Sequence, residues 1–146
     1  MKTIMLMLFL LSCSAEEVKI EENLNDYSYT QSEKEYQILD DINQYREERG
    51  LNSLGMVEYL SYKCFEHNKT MITLNQISHS GFQYRAKEIE AKMNTLKVGE
   101  CVSKGFDNPV PHWIASDGHR AILETAEFTR IGISFKEDYC TIILIK

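Results

Sequence analysis

The chain has no excess of positive charge: 16 lysines and arginines stand against 22 acidic residues, a formal net charge of −6 over 146 residues. That balance argues against a nucleic-acid partner, whose phosphates need a basic footprint. It also offers no electrostatic attraction to an anionic membrane. The apolar run Ile4–Leu11 is far too short to cross a bilayer as a helix. No serine or cysteine nucleophile sits in a recognisable motif, and no internal repeat or second composition block divides the chain. Prolines number two, both within Asn108-Pro109-Val110-Pro111, which reads as a rigid loop. What remains is the length and composition of one domain with a proper core.

The first residues carry an export pattern. Met1-Lys2 forms a charged start, Ile4–Leu11 an apolar stretch, and Leu10-Leu11-Ser12-Cys13 resembles a bacterial lipoprotein signal. On this reading residues 1–12 are removed and Cys13 becomes an acylated first residue, anchoring the chain to a membrane from outside the cytoplasm. Loss of Lys2 takes the basic count from 16 to 15 against 22 acids, a formal charge of −7. Cleavage after Ala15 is the alternative, giving a freely secreted protein. Residues 13–31 are polar without apolar periodicity and are expected to be a flexible tether. Cys64, Cys101 and Cys140 remain, an odd number that permits at most one bridge. Cys101 and Cys140 fall on expected strands and can join if those strands are neighbours; no bridge at all is the other outcome.

The domain is expected from residue 32 to residue 146. Ser32-Glu33-Lys34-Glu35 has the form of a capping box, followed by Tyr36, Leu39, Ile42 and Tyr45 on one helical face, with Gly50 as the stop. A second helix is expected over Val57–Met71 with Leu60, Cys64, Phe65 and Met71 inward; His67 within it reads as a surface or boundary residue. A third helix is expected over Gln83–Met93, its Arg85, Lys87, Glu88 and Glu90 read as surface charges. Leu96–Val102 alternates as a strand does. A helix around Trp113 and two strands, Arg130–Phe135 and Cys140–Ile145, complete the chain. Ile142–Ile145 lacks alternation and should be covered on both faces. The order of elements makes the fold class α+β, with helices packed over a central, mainly antiparallel sheet.

The residues with chemical potential sit in three islands. These are Ser78-His79-Ser80-Gly81-Phe82, Val98-Gly99-Glu100-Cys101-Val102, and Trp113-Ile114-Ala115-Ser116-Asp117-Gly118-His119-Arg120-Ala121-Ile122-Leu123. With Ile42-Asn43-Gln44-Tyr45-Arg46 before Gly50-Leu51-Asn52-Ser53-Leu54, and Phe128-Thr129-Arg130-Ile131-Gly132-Ile133, they make the chain resemble a bacterial CAP (SCP-like) domain over residues 35–145. The resemblance implies an α-β-α sandwich with an open cleft, in which His79, Glu100 and His119 occupy the positions of the family's cleft residues. Ser116 stands where many eukaryotic members have a second glutamate. Cys101 replaces an asparagine, and Asp117 and Ser53 each replace a proline.

Two neutral imidazoles and a carboxylate can hold Zn²⁺ or another divalent metal with one position open, so His79 and His119 are candidate metal ligands. Their spacing from Glu100 carries no local metal signature, and the grouping rests on the resemblance. Without metal, Glu100 beside either histidine can form an acid/base pair. Trp113 is expected to anchor its helix, Ser116 to line the cleft, and Arg120 to bridge to Glu100 or Glu124. The functional expectation is an extracytoplasmic cell-envelope lipoprotein, or a secreted protein. It would act as a non-catalytic binding module for a small apolar ligand, a metal, a cell-wall component or a protein partner, with no required cofactor. A metal- or Glu/His-dependent hydrolase is the alternative.

Overall fold

A computed structural model describes residues 27–146; the expected signal peptide, the lipidation point Cys13 and the tether up to residue 26 lie outside the described residues. Helix α1 (Glu33–Glu47) opens on Ser32 as expected. The Ser32 hydroxyl accepts the Glu35 N–H, and the Glu35 carboxylate accepts the Ser32 N–H at 2.7 Å. Then follow β1 (Gly55–Met56), α2 (Glu58–Leu74), α3 (Phe82–Met93), β2 (Val98–Lys104), α4 (Val110–Ala115), α5 (Asp117–Leu123), β3 (Arg130–Lys136) and β4 (Tyr139–Ile145). The sheet runs β1-β3-β4-β2, antiparallel except for the short parallel pairing of β1 with β3.

β4 occupies the middle and is buried on both faces, as its unalternating sequence requires. Cys140, Ile142 and Leu144 point into a cluster with Ile38, Leu39, Ile42, Trp113 and Leu123 from α1, α4 and α5. Ile143 and Ile145 point the other way, onto Leu60, Cys64 and Ile89 from α2 and α3. The sheet therefore lies between two helical layers, the expected α-β-α sandwich. Helix α2 presses hardest on it. A Cβ on Gly132 would come within 2.2 Å of the Leu60 backbone, so only hydrogen fits at that point of β3.

The outer edge of β3 has too short a strand beside it to satisfy its amides, and side chains complete the pairing. The Ile133 N–H donates to Ser61 Oγ at 3.0 Å, and the Phe135 N–H to Glu35 Oε1 at 2.8 Å. Inside the sandwich, Asn68 Nδ2 donates to Ser134 O at 2.8 Å while Asn68 Oδ1 accepts the Thr141 hydroxyl at 2.6 Å. One buried amide thus ties α2 to two strands.

Several expectations change. Tyr36 is 49% exposed and Ile38, 1% exposed, takes the inward place on α1. The buried face also includes Glu35 and Arg46, charged residues that hydrophobic periodicity passes over. Phe65 is only part-buried, whereas His67, expected at the surface or boundary, is 3% exposed. Leu96 precedes its strand and is exposed. The helix around Trp113 is two short helices broken at Ser116. Within the expected tether, the Tyr27 ring packs tilted against Tyr59 at 4.9 Å and the Tyr29 hydroxyl donates to Glu35, so residues 27–31 already belong to the folded unit. The bridge weighed between Cys101 and Cys140 is absent. β2 and β4 are neighbours, but Cys101 faces Ile142 and Cys140 faces Ser103, and all three described cysteines are free.

Candidate functional site

Glu100 lies in the middle of β2 with its side chain 1% exposed. A buried carboxylate must be paired and hydrogen-bonded, and this one is. Arg85 on α3 forks onto it, Nε to Oε2 at 3.0 Å and a terminal nitrogen to Oε2 at 2.8 Å and Oε1 at 2.9 Å. His79 Nδ1–H donates to Oε1 at 2.9 Å. A carboxylate only accepts, so this bond places the His79 proton on Nδ1 and directs Nε2 outward from an imidazole that is half exposed.

The loop carrying His79 is held from three sides. Asn75 ends α2 in the left-handed conformation, and Gly81, at φ 75°, turns the chain into α3. His67 Nε2–H donates to Ser78 O at 2.7 Å, and Arg85 donates to Ser80 O at 2.8 Å. Burial, with the nearby Arg85 charge, lowers the His67 pKa and keeps that imidazole neutral at pH 7. The expected surface roles of His67 and Arg85 are therefore corrected: one fastens the loop, and the other neutralises the site carboxylate. Nothing in their sequence surroundings marks them, since an arginine in a Lys/Glu-rich helix looks like solvated charge until its partner strand is placed.

His119, on α5, makes no direct bond to Glu100; its Nδ1 is buried without a hydrogen-bond partner among the described residues. Burial lowers its pKa, and the charges of His79 and His112 lower it further, so the three imidazoles share one neighbourhood. The His112 ring is 6.3 Å from that of His119, and Phe106 stacks on His112 at 4.2 Å. Trp113 is the expected anchor: fully buried, with its indole N–H donating to Val102 O at 3.2 Å. Ser116 forms the break between α4 and α5, partly buried. Arg120 pairs with Asp117 at 2.5 Å and not with Glu100 or Glu124. Glu124 instead accepts the Tyr45 hydroxyl at 2.7 Å and pairs with Arg49 at 3.0 Å.

This donor set does not fit the zinc centre implied by the resemblance. Both Glu100 oxygens are taken by Arg85 and one also by His79, so a metal would have to displace a guanidinium fork. Among the described residues no group of three His, Cys, Asp or Glu side chains is placed to hold a metal ion. Thiol chemistry fits no better. Burial pushes all three thiols well above their ordinary pKa, and Cys101, beside Glu100, points into the core. A surface pocket of about 320 Å³ is lined by His67 and Arg85 together with Lys63, Glu66, Thr70 and Glu88.

The comparisons agree with this architecture. An uncharacterized membrane protein of Bacillus subtilis (strain 168), YlbC, is 30% identical over 122 residues, which are 80% of this chain and 35% of that protein. The chain thus spans about a third of that relative's length. An extracellular protein containing a SCP domain from Bacillus anthracis str. Ames superposes with a TM-score of 0.70 at 21% identity, covering 82% of this chain and 45% of that one. An outer surface protein from Borrelia burgdorferi gives 0.72 at 18% identity, covering 82% and 97%. A cysteine-rich secretory protein from Staphylococcus aureus subsp. aureus Mu50 gives 0.67 at 16% identity, covering 77% and 38%. The sequence profile of CAP, the cysteine-rich secretory protein family, matches residues 39–143, and the chain belongs to that family.

Proposed function

We propose that the chain is an extracytoplasmic binding module that works at the cell surface without catalysing a reaction. The observation that carries this reading is the Arg85–Glu100–His79 cluster. A general base must be free to take a proton from a bound substrate. Here the only carboxylate of the expected cleft set is buried, forked by a guanidinium and hydrogen-bonded by an imidazole. Such a cluster shapes and stiffens a surface. The rim beside it suits a macromolecule more than a small enclosed ligand. Half-exposed His79 is flanked by Ile77, 44% exposed, and Tyr84, 80% exposed, on the loop before it and the helix after it. Exposed aromatic and aliphatic side chains around a rigid polar centre are a common make-up of protein interfaces.

Placement outside the cytoplasm is supported by the export pattern of residues 1–13. It is also supported by relatives described as extracellular, outer-surface and membrane proteins. No helix among the described residues is long and apolar enough to cross a membrane; in this reading the anchor is an acylated Cys13. The test places a photo-crosslinking residue at Tyr84 in the full chain on living cells. The reading expects discrete crosslinked products that weaken when His79 is changed to Ala. It is overturned if no product forms and the purified chain hydrolyses ester or peptide substrates with an activity lost in Glu100→Gln.

A further inference from the structure

We propose that the pocket between α2 and α3 binds a neutral polyhydroxylated ligand, by chemical class a saccharide unit. Lys63, Glu66, His67 and Thr70 recur at helical spacing along one stripe of α2, and Arg85 and Glu88 line the pocket from α3. The space they enclose is about 320 Å³, within the range of about 300–1,000 Å³ usual for small-molecule sites. Every lining side chain is polar, so an apolar ligand would strip water from them without replacing its hydrogen bonds.

Charge is already balanced within the pocket. Lys63 donates to Glu66 Oε2 and to Glu88 Oε2, each at 2.9 Å, and Arg85 is held by buried Glu100. A cationic ligand would compete with Lys63, and an anionic one would face Glu66 and Glu88. What is left over is hydrogen-bonding capacity. An ammonium carries three donors, so one Lys63 N–H remains. Each carboxylate keeps Oε1 as an acceptor beyond its bond to Lys63. The Thr70 hydroxyl donates to Glu66 O at 3.2 Å and keeps its lone pairs.

His67 is the residue that points to a ligand. It is 3% exposed yet lines the pocket, and its Nε2–H is spent on Ser78 O at 2.7 Å. The neutral ring therefore offers Nδ1 as a bare acceptor, and no described residue donates to it. A buried acceptor calls for a donor. A hydroxyl can donate to such an acceptor and accept from Lys63 in turn, so a sugar satisfies a mixed set that suits neither ion. The site needs no macromolecular partner, so its failure would leave the crosslinking result at Tyr84 unaffected.

The test titrates glucose and N-acetylglucosamine into the isotope-labelled full chain and follows the NMR shifts of the pocket residues, with glucosamine and glucuronate as charged counterparts. The proposal expects saturable shifts at His67 and Thr70 with at least one neutral sugar. It expects affinity at least fivefold weaker in both Thr70→Val and Glu88→Ala, and a change below twofold in Thr73→Val, a turn further along α2. A thermal scan shows that each variant is folded. The proposal is overturned if neither neutral sugar gives saturable shifts, or if Thr70→Val or Glu88→Ala binds unchanged. It is equally overturned if a charged counterpart binds more tightly than both neutral sugars.

Discussion

Arg85 covers both oxygens of Glu100, with three nitrogen–oxygen contacts of 2.8, 2.9 and 3.0 Å between the consecutive elements α3 and β2. The pair joins α3 to the sheet at the point where His79 also lands. It converts the most conspicuous acid of the cleft from a reagent into a fixture. The loop from Ser78 to Gly81 takes its shape from this pair and from His67.

Arg46 shows the same device used for the fold alone. It is fully buried without a carboxylate partner and donates to Asn52 O at 2.9 Å, Leu123 O at 2.6 Å, Thr125 O at 3.1 Å and Phe128 O at 3.2 Å. The Leu123, Thr125 and Phe128 carbonyls end α5 and lead into β3, where a cation is favoured, and Asn52 lies in the loop after α1. Arg46→Met should orphan several of them and lower stability by at least about 3 kcal/mol. Urea unfolding would show it; a loss below about 1 kcal/mol would mean that water replaces the guanidinium.

Gly132 marks the closest approach of α2 to the sheet. Gly132→Ala would put a methyl group 2.2 Å from the Leu60 backbone, so the helix must move. A cost of about 1–3 kcal/mol or more is expected from overpacking. Since α2 also carries His67, the variant should disturb the His79 imidazole signals in an NMR spectrum. Unchanged stability would contradict the packing described for β3.

His67 gives the domain a pH dependence of definite sign. Its pKa is lowered in the fold by burial and then by Arg85, with Glu100 acting the other way. The unfolded chain takes up this proton near pH 6.5 while the fold resists it. The contribution to stability is therefore complete above about pH 6.5 and is lost as the pH falls through that value towards the folded pKa. His119 shifts in the same direction and adds to the slope. His67→Gln keeps a donor for Ser78 O and should flatten the change in thermal midpoint between about pH 7.5 and 5.5. An equally steep profile in the variant would exclude His67 as a source.

The residues just before α1 should also matter. Tyr27 lies against Tyr59 and Tyr62, and the Tyr29 backbone N–H donates to Glu58 at 3.0 Å. A chain beginning at Ser32 should be less stable than one beginning at Tyr27 by about 1–3 kcal/mol, the scale of burying an aromatic side chain. Equal midpoints in thermal unfolding would return these residues to the tether.

The sequence was most readable where one local rule acts alone. The Ser32 capping box, the fully apolar Ile142–Ile145 strand and the Trp113 anchor each follow from a few adjacent residues, and each is found. The buried charges were not readable. Glu35, Arg46 and the part-buried Arg85 are hydrophilic by every local measure, and only partners such as Phe135 N, Leu123 O and Glu100 make their placement tolerable. Tyr36 turns out exposed, and Ile38, which the expected face leaves out, is buried beside Glu35 and Arg46. The site followed the same division. His79 and Glu100 come together as the family resemblance implied, whereas His67, Arg85 and His112 depend on tertiary neighbours.

The central claim, that Glu100 is a locked structural acid, is tested most directly by a double-mutant cycle between Arg85 and Glu100 in urea unfolding. Arg85→Met alone should cost about 3–5 kcal/mol, because it leaves a buried carboxylate without its partner. Combining it with Glu100→Leu should recover much of that loss, giving a coupling of roughly 1.5–3 kcal/mol. Single effects that add to within about 0.5 kcal/mol would mean that the two side chains act independently. Glu100 would then be free to act as a base, which contradicts its role as a fixture.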